Sequence, residues 1–452
     1  MLPKNTRKPL DLFRAHFVQI LNHKHPLYVL ASQINWSVFE QTFGPTYSEG
    51  MGRPAKPIRL LVGLHYLKHA FNESDESVVE RWLENPYWQY FCGYEYFQHE
   101  FPLDPSLLVK WRQRVGAEKL EVLLKETLDT AKRQKLLKKS QLARVNVDTT
   151  VQEKNIAFPT DSRLYHKMRI RLVREAKRRG IKLRQPYSRV AKKVLAQQSR
   201  YAHANQMKRA AKMTKKLKVY LGRVFRDLQR QADPSDEKLQ ELLATAKRLL
   251  EQKRKDKGKL YSVHAPEVEC IAKGKAHKKY EFGCKVGLVT TSRGSWIVGI
   301  QAFHDNPYDG HTLSASLEKM KQLTGVTAKH AYCDRGYRGH DYQGPAEIHI
   351  AGRGKRKRSR WEKMWSKRRA AVEPTIGHAK QDNRMEINFL KGKEGDVMNP
   401  ILAACGYHIR KLFRALFLPL FEACTNAVWT WLISIKTKQS SQAIREPLLS
   451  PA

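Results

Sequence analysis

The stretch "LARVNVDTTVQ" at residues 142–152 alternates apolar and polar side chains. Alternation with a period of two residues is typical of a β-strand with one buried face. Asp148 lies toward the end of this stretch. The pattern therefore predicts a strand that carries a candidate functional carboxylate, and the segments on either side of it indicate what that carboxylate does.

A strongly basic segment follows the predicted strand. From Arg163 to Arg230 the sequence has 23 lysines and arginines against two acids, Glu175 and Asp227. Side chains at a and d heptad positions are Ala210, Thr214, Leu217, Leu221, Val224 and Leu228. After a break at "DPSDEK" the spacing continues at Leu239, Leu242, Ala246 and Leu249. This predicts an antiparallel helical hairpin with one very basic arm, which either grips phosphates or forms a solvated stalk.

Strand patterns return after residue 259. "KYEFGCKVGLVTT" and "SWIVGIQAF" predict a β-hairpin, "AKHAYCD" predicts a strand that ends on Asp334, and "EIHIA" predicts a short strand. Helices are predicted at "HTLSASLEKMKQL" and at about 362–388 and 399–436. The order from residue 142 is strand, helical block, two strands, helix, two strands and helix. Without the helical block, this α/β order is that of a ribonuclease H-like domain.

Three acids occupy the positions that such a domain uses for catalysis. One lies on the first strand, one follows the fourth strand and one lies on the helix after the fifth, which selects Asp148, Asp334 and Glu373. Two Mg²⁺ ions about 3.5–4 Å apart can clamp the attacking and leaving oxygens of a phosphodiester. Mg²⁺ prefers carboxylate oxygens, with Mn²⁺ as an alternative ion. We expect Asp148 to bridge both ions and the other two acids to hold one each.

Basic residues accompany these acids. Arg335 and Arg338 follow Asp334 in "YCDRGYRG" and are expected to face a polyanionic substrate, although an exposed Asp–Arg pair in a turn is the alternative. On a helix, Arg369 and Lys380 lie roughly −40° and −20° from Glu373 and face the same groove.

Pro374 complicates this helix, because the residue before a proline disfavours the α conformation. Either the helix is kinked at Glu373 or Glu373 lies at its start, in which case Arg369 belongs to a preceding segment. Rival carboxylates exist at Asp161, Asp305 and Asp309, which we expect to be structural, turn or capping residues.

The blocks "VDTTVQ", "YCDRGYR" and "RRAAVEPTIGHAK" resemble the three catalytic blocks of Asp-Asp-Glu transposases from bacterial insertion sequences. The segments "PTDSRL", "HAPEVECIAKGKAHKKYEFG" and "NPYDGHTL" are similar to the family named after insertion sequence five. Arg369, Glu373 and Lys380 keep the spacing of the wider group, whereas Ser366 stands where that group has tyrosine. The resemblance covers about residues 50–410. It implies a ribonuclease H-like core, metal-dependent cleavage at terminal inverted repeats, and strand transfer into a target.

The segment before residue 142 is predicted to be helical. Three short helices, the last starting at Pro105, resemble a helix-turn-helix module whose Lys110, Arg112 and Arg114 contact DNA. Plain helical scaffolding is the alternative. The predicted layout is a helical DNA-binding domain at 1–135, a catalytic domain at 140–436 with the basic insertion at 163–258, and a flexible tail at 437–452.

Composition agrees with a nucleic-acid partner. The net charge is +41, from 84 Lys and Arg against 43 Asp and Glu, while 41% of the residues are hydrophobic. A folded chain with this charge repels itself unless a polyanion is nearby, so the candidates are a DNA or RNA enzyme and a ribosomal or chromatin-like protein. No two of the six cysteines have CxxC spacing, which argues against a zinc ribbon. The longest uncharged run of the apolar C-terminal region, 423–435, is too short to span a bilayer.

These observations predict a transposase that binds double-stranded DNA at the element ends and in the target. Holding two ends together requires a dimer or a larger synaptic complex. We expect the protein to act in the cytoplasm, on the bacterial nucleoid. The alternatives are a nuclease of the same fold that never joins ends, and a DNA-binding remnant that acts as a repressor.

Overall fold

The computed structural model describes residues 15–48, 54–253, 256, 258–272, 279–352 and 359–443, with side chains up to residue 417. The predicted tail at 437–452 lies mostly outside these residues. The apolar run 423–435 is too short to span a bilayer, which favours a buried helix, and its side chains also lie outside the described part. Among the described helices, none combines the length and apolarity needed to cross a membrane.

Seven helices precede the sheet. They are α1 (Phe17–Ile20), α2 (Pro26–Gln33), α3 (Ser37–Phe43), α4 (Ile58–Ala70), α5 (Asp75–Glu84), α6 (Pro86–Phe91) and α7 (Ser106–Arg133). The side chain of Ser74 caps α5, and Asp104 Oδ1 accepts a 2.9 Å hydrogen bond from the Ser106 amide at the start of α7. α4 is almost wholly buried, since the other helices surround it.

The helices at 58–133 differ from the predicted three-helix module. There are four of them, and α7 is 28 residues long. The prediction ended the last helix at Gly116, which does leave helical geometry with φ 76°. Helical structure resumes after it because Leu120, Leu123, Leu124 and Leu128 form a buried apolar face.

A mixed seven-stranded sheet forms the centre of the molecule. Its strands are β1 (Arg144–Lys154), β2 (Glu269–Ala272), β3 (Tyr280–Thr291), β4 (Ile297–Phe303), β5 (His330–Cys333), β6 (Glu347–Ile350) and β7 (Ile387–Asn388). The order is β2-β3-β1-β5-β6, with β4 paired to β3 and β7 paired to β1. β1 is antiparallel to β3 and parallel to β5, and β5 is parallel to β6. The five predicted strands are confirmed; β2 and β7 were not predicted.

The basic insertion contains four helices rather than a two-helix hairpin. They are α8 (Asp161–Arg178), α9 (Ser188–His203), α10 (Met207–Gln231) and α11 (Glu237–Glu251). Left-handed residues at Gly180 and Tyr187 separate α8 from α9, and Asn205 with φ 55° separates α9 from α10. The heptad pattern was correct for the leucines and Val224 of α10 and for the apolar members on α11, which are buried in a core that belongs to the insertion. The breaks between α8 and α9 and between α9 and α10 were not predicted, because the many charged residues of the insertion give no clear apolar pattern there.

The remaining helices are α12 (Leu313–Thr324), α13 (Arg360–Arg368), α14 (Val372–Gln381) and α15 (Gly392–Ala443). α15 packs against α2, α4, α7 and β4, so the N-terminal helices and the sheet share one hydrophobic core. His408 on α15 shows this contact at atomic level: its Nε2 accepts the Ile297 amide of β4 at 3.2 Å, and its Nδ1 lies 2.8 Å from Thr127 Oγ1 of α7. The predicted limits of 1–135 and 140–436 stay predictions.

Candidate active site

Asp148 lies on β1, and Asp334 directly follows the neighbouring parallel strand β5. The register pairs Arg144 with His330 and Asn146 with Tyr332, so its continuation by two residues brings Asp148 opposite Asp334. Adjacent strands are about 4.8 Å apart, and residues two positions apart share a face. The sheet therefore places these two carboxylates side by side.

A gap in the sheet lies beside Asp148. On the edge of β1 away from β3, β5 pairs with residues 144–146 and β7 with residues 153–154. Within the described part of the chain, no strand pairs with this edge between those two contacts, and helix α14 packs on β1. Ligands of open α/β sheets bind where neighbouring strands diverge in this way. In the described residues the edge of β1 beside Asp148 is therefore contacted by a helix and not by a strand.

The pKa of the Cys333 thiol indicates which charged groups lie near it. Burial raises its pKa well above the usual range, and the negative charges of Asp334 and Asp148 raise it further, whereas Arg369 opposes them. Both carboxylates and the Arg369 guanidinium therefore lie near one buried thiol. Arg369, on the segment before the third acid, is thus within electrostatic range of the same thiol as the two aspartates.

Glu373 is the second residue of α14, at the start of the helix and not at an internal kink. Arg369 belongs to the preceding 3-10 turn, Arg369–Ala371, as the second interpretation of Pro374 required. The backbone stays right-handed helical through this turn, so the two side chains still meet, with Arg369 Nη2 3.4 Å from Glu373 Oε1. Pro374 is tolerated because the first amides of a helix have no partner within it.

The side chain of Asn146 holds this third segment on β1. Its Nδ2 donates a 3.1 Å hydrogen bond to the carbonyl oxygen of Arg368, and its Oδ1 accepts from Ser292 Oγ at 2.8 Å. Asn146 is fully buried and precedes Asp148 by two residues on the same face. The strand that carries the first acid is thereby bonded to the last residue of α13, five residues before the third acid. The Glu373 side chain is 65% exposed, so it is reachable from solvent.

Asp309 is a further carboxylate at this site, which the sequence analysis treated as a turn or capping residue. Its Oδ1 lies 2.9 Å from Lys285 Nζ and accepts from Thr149 Oγ1 at 2.9 Å. A Cβ added to Gly336 would lie 3.0 Å from Asp334 Oδ1 and 3.2 Å from Asp309 Oδ2, so the glycine fits between two carboxylates. The segment "NPYDGHTL" could have pointed to Asp309 as a site residue. Its asparagine, proline and aspartate are equally typical of a turn that caps the next helix, so the pattern did not single Asp309 out.

Asp334 is partly buried, whereas the two arginines that follow it, Arg335 and Arg338, are exposed. Asp334 Oδ1 accepts the Gly336 amide at 2.9 Å and begins a short 3-10 turn. A Cβ added to Gly352 would lie 3.0 Å from Arg338 Nη2 and 4.0 Å from Arg335 Nε. The two guanidinium groups therefore converge on one exposed spot. Lys380 lies seven residues after Glu373 on α14 and is partly exposed on the same side.

The prediction that Arg112 contacts DNA is wrong. Its side chain is 2% exposed and donates to both oxygens of Asp75, at 2.8 and 2.7 Å. Lys68 Nζ also lies 2.8 Å from Asp75. The residue faces inward because it lies one position after the buried Trp111, on the apolar side of α7. Lys110 and Arg114 are exposed on the other side of the same helix.

The three predicted acids suit a divalent cation by the chemistry of their oxygens. Asp148, Asp334 and Glu373 offer hard carboxylate oxygens, and the Asp309 carboxylate lies beside Asp334. Glycine at position 336 leaves space between Asp309 and Asp334 that a side chain would fill. The donor set therefore fits Mg²⁺ or Mn²⁺ and lacks the nitrogen and sulfur ligands of zinc sites.

Carboxylates clustered on a mixed sheet and flanked by arginines are typical of proteins that act on nucleic-acid phosphates. Comparison with known families agrees. Residues 15–114 match a family described as Transposase domain (DUF772), and residues 258–407 match one described as Transposase DDE domain. The second match contains Asp334 and Glu373.

A relative from Rhizobium meliloti, named Uncharacterized protein ORF8 in nfe locus, is 54% identical over 196 residues, which are 43% of this chain and 94% of that protein. No solved structure matches the chain. Together, the two matching domains show that the chain belongs to the transposases of insertion sequences with a DDE domain. Such domains use divalent metal ions and act in DNA transposition. Membership in the insertion-sequence-five family remains a prediction.

Proposed function

We propose that this transposase binds the terminal inverted repeats of its own insertion sequence, cleaves DNA at the element ends and joins the 3′-hydroxyl ends to target DNA. The observation that carries the proposal is the parallel register that brings Asp148 opposite Asp334, with Glu373 tied to the same strand through Asn146 and Arg368. Asp148, Asp334 and Glu373 are the catalytic residues of this proposal.

The same three carboxylates would hold two divalent ions, Mg²⁺ or Mn²⁺. When bound, these ions neutralise charge on the phosphate and on the attacking and leaving oxygens. The carboxylates then hold the ions at fixed positions, because each belongs to a strand, a strand end or a helix start. Asp309, bonded to Lys285 of β3 and Thr149 of β1, holds the turn before α12 against these two strands and lies beside Asp334.

The cations around the acids bind the DNA backbone. Arg335 and Arg338 are exposed beside Asp334, and Arg369 and Lys380 flank Glu373, so phosphates meet positive charge on both sides of the carboxylates. Lys110 and Arg114 on α7 extend a second basic surface for the element ends. Two ends must be held at once, so the acting form is a dimer or larger complex on the nucleoid in the cytoplasm.

The test is Mg²⁺-dependent nicking and joining of a labelled duplex that carries the element's own terminal repeat. Asp334→Asn keeps the shape and removes the charge, and Asp341→Asn makes the same change at an exposed position seven residues further along the chain. We expect D334N to bind the duplex but neither cleave nor join it, and D341N to behave as wild type. Full activity of D334N would refute the site.

The products of the same assay separate the alternatives. Cleavage by the wild type without any joined product would identify a hydrolytic nuclease of this fold. Binding without cleavage in wild type would identify a repressor. The acids and their surrounding arginines favour the transposase, since a repressor needs none of the carboxylates.

A further inference from the structure

A second cluster of metal-ligating side chains lies at the edge of the sheet, outside the acid site. His330 begins β5, and Glu347 and His349 lie on the edge strand β6. The parallel register pairs His330 with Glu347 and Tyr332 with His349. Among the described residues, one ligand atom from each of His330, Glu347 and His349 lies within 4.8 Å of the others.

The distances between the three ligand atoms are those of a zinc site. His330 Nδ1 lies 3.2 Å from His349 Nε2 and 3.2 Å from Glu347 Oε2, and His349 Nε2 lies 3.6 Å from Glu347 Oε2. Ligands bound to Zn²⁺ at about 2.0–2.2 Å in tetrahedral geometry are roughly 3.3–3.5 Å apart. Two imidazole nitrogens and one carboxylate oxygen are also a common ligand set for Zn²⁺ and unlike that of Mg²⁺.

The site is separate from the acid cluster. His330 and Asp334 are four residues apart along β5 and its end, which is about 13 Å in an extended strand. No carboxylate of the acid site belongs to the second cluster. The histidine side chains are 28% and 23% exposed, so an ion can enter from solvent while the rings are held by their strands.

We propose that His330 Nδ1, His349 Nε2 and Glu347 Oε2 bind one Zn²⁺ or a similar transition-metal ion, with a fourth position open to water or another ligand. The three ligands join the short edge strand β6 to β5. The proposal does not depend on the transposition chemistry proposed above.

The bound ion would also stabilise an aromatic stack that leads toward the acids. The ring of His349 stacks on Tyr332 at 4.7 Å, and Tyr332 stacks on Trp365 of α13 at 6.4 Å. α13 continues into the turn that carries Arg369 and then into α14 with Glu373. Fixing the His349 ring therefore supports the packing of the helical segment that holds the third acid.

The experiment uses full-length protein without a histidine tag, stripped of metal and then dialysed against Zn²⁺ in the presence of excess Mg²⁺. We expect one Zn²⁺ per chain, and tetrahedral ligand-field absorption when Co²⁺ replaces Zn²⁺. His349→Gln and Glu347→Gln should each weaken Zn²⁺ binding at least about 10-fold. Zn²⁺ should also raise the melting temperature of wild type but not of these variants.

Two controls locate the ion. His203→Gln removes an exposed histidine of the insertion and should leave Zn²⁺ binding unchanged. Asp334→Asn should also keep it, even though the acid site is disabled. Zn²⁺ binding that survives in both H349Q and E347Q, or that is lost in D334N, would overturn the proposal, as would the absence of binding in the wild type. E347Q alters an exposed side chain, so its effect does not depend on a loss of folding.

Discussion

The side-chain amide of Asn146 donates a 3.1 Å hydrogen bond to the backbone carbonyl of Arg368, which links β1 to the turn before α14. Removing this donor should displace Glu373 relative to Asp148 and Asp334, while all three carboxylates keep their own side chains. We expect Asn146→Asp to slow cleavage about 10–100-fold, because small misplacements of a catalytic group have effects of this size. It should leave DNA affinity nearly unchanged and raise the Mg²⁺ concentration needed for half-maximal activity.

Ser292→Ala is the matched control for Asn146. It removes the 2.8 Å hydrogen bond from Ser292 Oγ to Asn146 Oδ1 but keeps the bond to Arg368. Metal titrations of cleavage by both variants distinguish positioning from packing. Equal losses of activity and equal shifts in the Mg²⁺ requirement would show that Asn146 acts only through general stability of the core.

The strands and helices around the acids could be predicted because each of them has a recognisable pattern in its own stretch of sequence. β1 alternates, β5 ends one residue before Asp334, and the order of strands and helices needed no knowledge of distant contacts. The sequence patterns did not predict how closely β3 approaches β1. A Cβ added to Gly283 of β3 would lie 1.8 Å from the carbonyl oxygen of Gln152 on β1. Such pairing depends on long-range register, which periodicity does not contain. β7 was missed because two residues are too few to show alternation.

Asp309 and Arg112 show why parts of the site could not be predicted. Each residue has an ordinary local explanation, a turn for Asp309 and an exposed basic helix for Arg112. Their true partners, Lys285 and Asp75, are 24 and 37 residues away. The direction of a side chain on a helix was therefore decided by tertiary packing, which the sequence alone does not give. The assignment of Asp148, Asp334 and Glu373 as the catalytic acids stays a prediction, which rests on their positions in β1, directly after β5 and at the start of α14.

The buried Asp75–Arg112 pair leads to a stability prediction. Asp75 accepts two hydrogen bonds from Arg112 and one from Lys68, and these partners lower its pKa despite its burial. Arg112→Met should leave a carboxylate buried with one fewer partner. We expect a loss of about 3–5 kcal/mol in the free energy of unfolding of the helical region, measured by urea denaturation.

Lys110→Met is the comparison for Arg112→Met, since both change a cation of α7 and Lys110 is exposed. K110M should change the free energy of unfolding by no more than about 0.5 kcal/mol. Its effect should appear instead in weaker binding of the terminal repeat. If R112M were as stable as K110M and bound DNA less well, Arg112 would return to the DNA-binding surface.

Arg335 and Arg338 should control the salt dependence of DNA binding. Each exposed guanidinium that contacts a phosphate releases about 0.9 counterion on binding B-DNA. The double change to glutamine should therefore reduce the slope of log K against log salt by about 2, with similar effects on specific and unrelated duplexes. Lys319→Gln, which removes a cation of α12 that is paired with Glu121 of α7, serves as control. An unchanged slope in the double variant would remove these arginines from the interface.

His408 connects three parts of the core and must stay neutral to do so. Its Nε2 accepts the Ile297 amide, so the ring proton lies on Nδ1 beside Thr127 Oγ1, which itself donates to the Leu124 carbonyl. Burial first, and then the charge of Lys411, lowers its pKa from 6.5 to about 3. Protonation at Nε2 would turn the acceptor of the Ile297 amide into a second donor.

The lowered pKa of His408 predicts how stability depends on pH. Between about pH 6.5 and 3 the unfolded chain binds this proton and the folded chain does not, so the free energy of unfolding falls as the pH falls, by up to about 1.4 kcal/mol per pH unit. His408→Gln removes this titration, so its stability should decline less than that of wild type between about pH 7 and 5, with a difference of about 2 kcal/mol. Urea unfolding at both pH values measures this, and His203→Gln should decline like wild type. A parallel decline in wild type and H408Q would mean that His408 takes up its proton over the same pH range in the folded and unfolded chains, and that the Ile297 amide then has another acceptor.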